Sequence, residues 1–153
     1  EAQKIIDTQL AATDNPDSRR RLQYISPSLA ADPAVRDRFF ASLALVENRQ
    51  VESWTQDAVK NLHHPSRRAH SVRYLPASLT LLEEIQVTGD IFFPTQWLQA
   101  NFANHNSDQA VQSVEKFLRQ RPDYNPQLRM KILQAADLPI RANHILNSGT
   151  EQR

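Results

Sequence analysis

A chain of 153 residues, 40% of them hydrophobic, has the size of one domain and enough apolar side chains to build one core. Its 18 Lys and Arg against 17 Asp and Glu leave a net charge of +1, which lacks the concentrated basic surface that nucleic-acid binding requires. The absence of cysteine excludes disulfides and thiolate chemistry, and two glycines are too few for hairpin turns, bulges and phosphate-cradling loops, which favours helices over strands.

The chain opens at Glu1 and enters a helical pattern at once, which suggests a segment of something longer. Arg19, Arg20 and Arg21 form its tight basic run, with Asp14 and Asp17 beside it, and read as an exposed helix face. Proline marks helix starts at Asn15-Pro16, Asp32-Pro33 and Asn125-Pro126, because the first helical residue needs no N–H and the preceding side chain can cap the exposed amides. After Asp32, Val35, Phe39, Leu43 and Val46 predict one buried stripe, and Val51, Trp54, Ala58 and Leu62 a second. The short link "ENRQ" between them predicts antiparallel neighbours.

From Ser66 a longer helical pattern runs through Val72, Leu75, Leu79, Leu82 and Ile85, with a kink or break at Pro76 and a left-handed cap at Gly89. Pro94 starts the next helix, with Trp97, Leu98 and Phe102 inward, and Ile91, Phe92 and Phe93 are expected to be buried between two helices. Ser107 caps a helix carrying Val111, Val114, Phe117 and Leu118, and "RPDYNP" separates it from one carrying Leu128, Ile132 and Leu133. The polar tail "NSGTEQR" suggests fraying. Short helices alternating with short loops predict a single all-α domain over 1–153, built of stacked antiparallel hairpins in a HEAT- or armadillo-like superhelix. If Trp54 and Phe93 are buried as read, truncating either to Ala should cost about 3 to 5 kcal/mol.

Catalytic patterns are missing from the sequence. His63 and His64 are adjacent, so on a helix they diverge, whereas paired metal ligands need spacing near i, i+4; before Pro65 they read as caps for the last carbonyls of a helix. Glu83 and Glu84 also diverge and cannot flank one bond, and there is neither a zinc-binding H-E-x-x-H nor a G-x-S-x-G serine elbow. Catalytic and metal residues are therefore not expected in this segment. Arg67, His70, Ser71 and Tyr74 share a helix face, either a solvated outer face or the lining of a substrate cavity. The longest apolar run, "FFASLALV", is far shorter than the roughly 20 residues of a membrane-spanning helix. The chain thus reads as soluble, with nothing to separate a cytoplasmic from a periplasmic location.

Two strings, "NRQVESWTQDAVKNLHHPSRRAHSVRYLPASLTLLEEIQVTGDIFFPTQWL" and "FLRQRPDYNPQLRMKILQAADLP", resemble the C-terminal helical domain of zinc aminopeptidases of the aminopeptidase N family, a similarity running from about Asn15 to Ala142. In that family the upstream catalytic domain holds zinc through H-E-x-x-H and a distal Glu, and G-x-M-E-N meets the substrate amino terminus. Neither motif occurs here: the single methionine, Met130, sits in "LRMKIL". The resemblance implies a non-catalytic cap or wall that limits access of peptides to an upstream site. Its partners would be the catalytic domain of the same chain and the peptide substrate, and the zinc would belong to the parent chain. The alternative is a free-standing α-solenoid that binds a peptide or protein on its concave side.

Overall fold

The computed structural model describes residues 2–148, all of whose regular structure is helical. They contain ten α-helices: α1 (Ala2–Ala12), α2 (Pro16–Leu29), α3 (Pro33–Ser42), α4 (Glu52–Leu62), α5 (Arg68–Ser71), α6 (Leu75–Thr80), α7 (Leu82–Thr88), α8 (Phe93–Phe102), α9 (Asp108–Arg119) and α10 (Pro126–Ser148). Three 3-10 turns, Val46–Arg49, Pro65–Arg67 and Val72–Tyr74, join some of them. The described residues gather into two compact units that divide between Leu62 and His63.

The proline starts form as their chemistry dictates. Asn15 accepts from the Ser18 amide at 2.9 Å, Asp32 from Ala34 at 2.9 Å, and Asn125 from Gln127 and Leu128 at 2.9 and 3.2 Å. Each removes an amide that the helix itself leaves unpaired. In the first unit α2 packs on α4, α3 and α1. Phe40, Leu43, Ala58, Val59 and Leu62 are buried there, and Tyr24 donates to the Asn48 carbonyl at 2.6 Å. The stripe deviates where the link itself coils: Val46–Arg49 is a 3-10 turn, Val46 and Val51 stay exposed, and the link residue Arg49 is buried, donating to the Leu43 carbonyl. Trp54 is only half-buried, edging against Tyr24 at 6.0 Å, so the cost of a fully buried ring does not apply to it.

In the second unit α10 packs on α8 and α9, α6 touches α7, α8 and α9, and α7 touches α8. Its core holds Leu75, Leu79, Leu82, Ile85, Phe93, Trp97, Leu98, Phe102, Leu128 and Ile132. A buried polar set crosses it: Trp97 Nε1 donates to the Ser78 carbonyl at 3.0 Å, Ser78 Oγ to Asn101 Oδ1 at 2.6 Å, and Asn101 Nδ2 to the Trp97 carbonyl at 2.8 Å. Inside a core such groups cost little only when paired, and these three satisfy one another.

The long pattern from Ser66 is broken into short pieces, with Pro76 in the first turn of α6, where its missing N–H is harmless. Two expectations for the α7–α8 corner are corrected. Gly89 is extended, at φ −95° and ψ 174°, so α7 ends without a left-handed cap. Asp90 does the structural work: one carboxylate oxygen accepts from the amides of Phe92 and Phe93 at 2.7 and 3.0 Å and so opens α8. That turn faces only one of its aromatic residues inward. Phe93 is 2% exposed, whereas Ile91 and Phe92 are 74% and 66% exposed. Leu133, expected inside with Ile132, is also exposed, since adjacent helical residues point about 100° apart. Of the polar tail, the first two residues continue α10, and the remainder lies outside the described residues.

Candidate functional site

Arg67, His70, Ser71 and Tyr74 do not share one helix. Arg67 ends the turn Pro65–Arg67, His70 and Ser71 belong to α5, and Tyr74 ends the turn Val72–Tyr74. Tyr74 is 5% exposed and Ser71 is fully enclosed, so neither side chain lies open to a cavity; Arg67 and His70 are half-buried. Tyr74 is the centre of a ring cluster, with the His63 and His70 imidazoles each edge-on to it at 5.9 Å. Ser71 Oγ is buried without a hydrogen bond among the described residues.

The cluster leads to a feature that sequence spacing did not reveal. His63, at the end of α4, is 0% exposed, and its Nδ1 lies 2.7 Å from Nε2 of His105 in the α8–α9 loop, itself 3% exposed. Asn104 Nδ2 fixes the same loop by donating to the His63 carbonyl at 3.1 Å. Only His64 behaves as a cap, its Nδ1 accepting from the Ser66 amide at 3.3 Å, and it caps the following turn rather than the end of α4. Burial, and then the neighbouring His105, push the His63 imidazole down to about 3; burial, and then the Arg68 guanidinium, push His105 down to about 4. Both are neutral near pH 7, so the pair is a shared proton between two uncharged rings. His105 lies 42 residues beyond His63, so no local spacing could have joined them.

His105 also lines a cleft of about 400 Å³ with Arg68, Ser107, Asp108, Asn143 and Asn147. Asp108 opens α9 and accepts from Asn143 Nδ2 and Asn147 Nδ2 at 2.8 and 3.0 Å, which holds its carboxyl below the usual range. A second groove of about 370 Å³ between α6 and α9 is lined by Thr80, Gln112, Lys116, Phe117 and Arg121, with the Arg121 guanidinium over the Phe117 ring at 4.2 Å. Next to it Tyr124 is buried against Phe117, and burial, with Glu83 second, pushes its phenol up to about 12.

No cluster of three or more His, Asp or Glu side chains suited to a metal ion occurs among the described residues, and no helix among them is long and apolar enough to cross a membrane. Two imidazoles in direct hydrogen-bond contact do not make up a zinc ligand set by themselves. No family model matches the sequence, and no curated protein or solved structure is significantly similar to it.

Proposed function

We propose that this chain is a non-catalytic helical domain of a zinc aminopeptidase, forming the cap or wall of the substrate cavity and restricting access of peptides to a zinc site in an upstream catalytic domain. The resemblance of the strings that build α4 to α8 and α10 motivates the reading. One structural observation supports it. Within the resembling segment the α7–α8 corner leaves Val87, Ile91 and Phe92 exposed while its own core is already filled by Phe93 and Trp97. Apolar side chains held outward on a corner pinned by Asp90 suit burial against a second domain. In this reading the hairpins stack in a HEAT-like superhelix, and the wall works by shape, with no reactive group of its own.

The chain is to be expressed alone and together with the catalytic part of the same reading frame. Alone, it should hold no stoichiometric zinc and hydrolyse no aminoacyl amide; joined, it should make hydrolysis depend on peptide length. Phe92→Ser should change the stability of the isolated chain by no more than about 0.5 kcal/mol, as for an ordinary surface site, yet loosen the joined domains. Zinc-dependent peptidase activity in the isolated chain, or a reading frame without a zinc-binding motif, would overturn the proposal.

A further inference from the structure

In the second unit a buried imidazole forms part of the wall of an open cleft, and the chemistry around it is that of a ligand site. The volume of about 400 Å³ falls within the range of small-molecule pockets. The walls carry one charge of each sign. Arg68, from α5, makes no side-chain hydrogen bond or ion pair among the described residues, and Asp108 is kept ionised and oriented by two asparagine amides. Neither charge neutralises the other through an ion pair. Ala69 and Leu146 add an apolar side to the cleft.

His105 supplies the directional group. Its Nε2 is engaged by His63 Nδ1, and its Nδ1 has no hydrogen bond among the described residues although the side chain is almost wholly enclosed. When His63 Nδ1–H donates to His105 Nε2, the proton of neutral His105 must sit on Nδ1, the ring nitrogen left without a bond on a residue that lines the cleft together with Arg68. Shifting both rings to the other tautomer turns Nδ1 into an acceptor without creating a buried charge. His63 is therefore a positioning residue: the direction of its hydrogen bond to His105 decides whether His105 Nδ1 carries the proton.

We propose that this cleft binds a small zwitterion of the free amino-acid class, its carboxylate held by Arg68 and His105 Nδ1–H and its ammonium by Asp108. A guanidinium with an N–H donor matches the two oxygens of a carboxylate, and an ionised carboxyl matches an ammonium. Ala69 and Leu146 would lie along an apolar side chain. The site does not depend on the aminopeptidase reading, since every residue in it belongs to this chain.

The test is a titration of the full chain with L-leucine, followed by calorimetry and by the imidazole nitrogen resonances. Leucine methyl ester, which lacks the carboxylate, and N-acetyl-leucine, which lacks the ammonium, serve as comparisons. Leucine should bind at millimolar concentration or below and shift the Nδ1 resonance of His105. Each blocked form should bind about tenfold more weakly, the loss of one charge-assisted contact. Arg68→Gln and Asp108→Asn, both exposed positions that should leave the helical content intact, should each weaken leucine by a similar factor. Without ligand, His63→Gln should mix or exchange the protonated and unprotonated nitrogen resonances of His105, whereas loss of the ring contact at 4.9 Å alone would shift them only slightly. No leucine binding at millimolar concentration, equal binding of the blocked forms, or leucine binding that leaves His105 unmoved would overturn the proposal.

Discussion

The buried imidazoles of His63 and His105 show how a single residue ties stability to pH. Folded, their protonation is pushed to about 3 and about 4, against an ordinary value of 6.5. As pH falls through 6.5 the unfolded chain therefore takes up protons that the folded chain refuses. The stability held by the neutral pair is whole above about 6.5 and is lost progressively as pH falls toward 4, at up to about 1.4 kcal/mol per pH unit for each ring. Because the rings share one proton they titrate as a pair, and a combined loss of roughly 2 to 4 kcal/mol between pH 7 and 5 is expected. Urea midpoints at the two pH values measure it. His105→Gln should flatten the dependence, and an unchanged pH slope in that variant would show that other groups carry it. The charged groups that line the cleft with His105 are Arg68, which lowers its imidazole, and Asp108.

At the scale of one element, the α7–α8 corner separates two ways of ending a helix. A left-handed glycine cannot be replaced by alanine without strain, but Gly89 is extended at φ −95°, a region alanine also occupies. Gly89→Ala should stabilise the chain by about 0.4 to 1 kcal/mol by restricting the unfolded state. Asp90→Ala should instead cost about 1 kcal/mol, since the Phe92 amide loses its acceptor and the Phe93 amide keeps only the Asp90 carbonyl, at 3.2 Å. Thermal melting of the two variants decides the matter, and a loss on Gly89→Ala would restore the left-handed cap. The "TGDIFFP" string shows where legibility stopped. Its composition announces a joint, and Pro94 does fall in the first turn of α8, but nothing in it tells which of three consecutive apolar residues faces inward. That choice follows from the turn that the Asp90 carboxylate imposes.

For the whole molecule, the four polar residues proposed to line a cavity have unequal prospects. With Tyr74 5% exposed and part of the ring cluster, Tyr74→Ala is a core truncation, expected to cost about 3 to 5 kcal/mol and to alter all activities of a joined enzyme together. Arg67 and His70 keep some exposure. In the joined enzyme Arg67→Ala should raise KM for longer peptides and leave dipeptide-like substrates unchanged, as the loss of a contact remote from the scissile bond would. Equal effects on short and long substrates would assign Arg67 to the fold alone.

What the sequence by itself determined about this protein is local. Helix starts at Pro16, Pro33 and Pro126, the Ser107 cap, the break around Pro76 and the all-helical class follow from side chains acting on amides a few residues away, and from an apolar period that only a helix can bury. Only the tertiary structure decided which apolar residues stay outside, that the described chain gathers into two units, and that His63 meets His105. Those outcomes depend on groups tens of residues apart being brought within hydrogen-bond or van der Waals range. Such contacts are set by how helices pack, and a one-dimensional pattern of hydrophobicity carries no term for them.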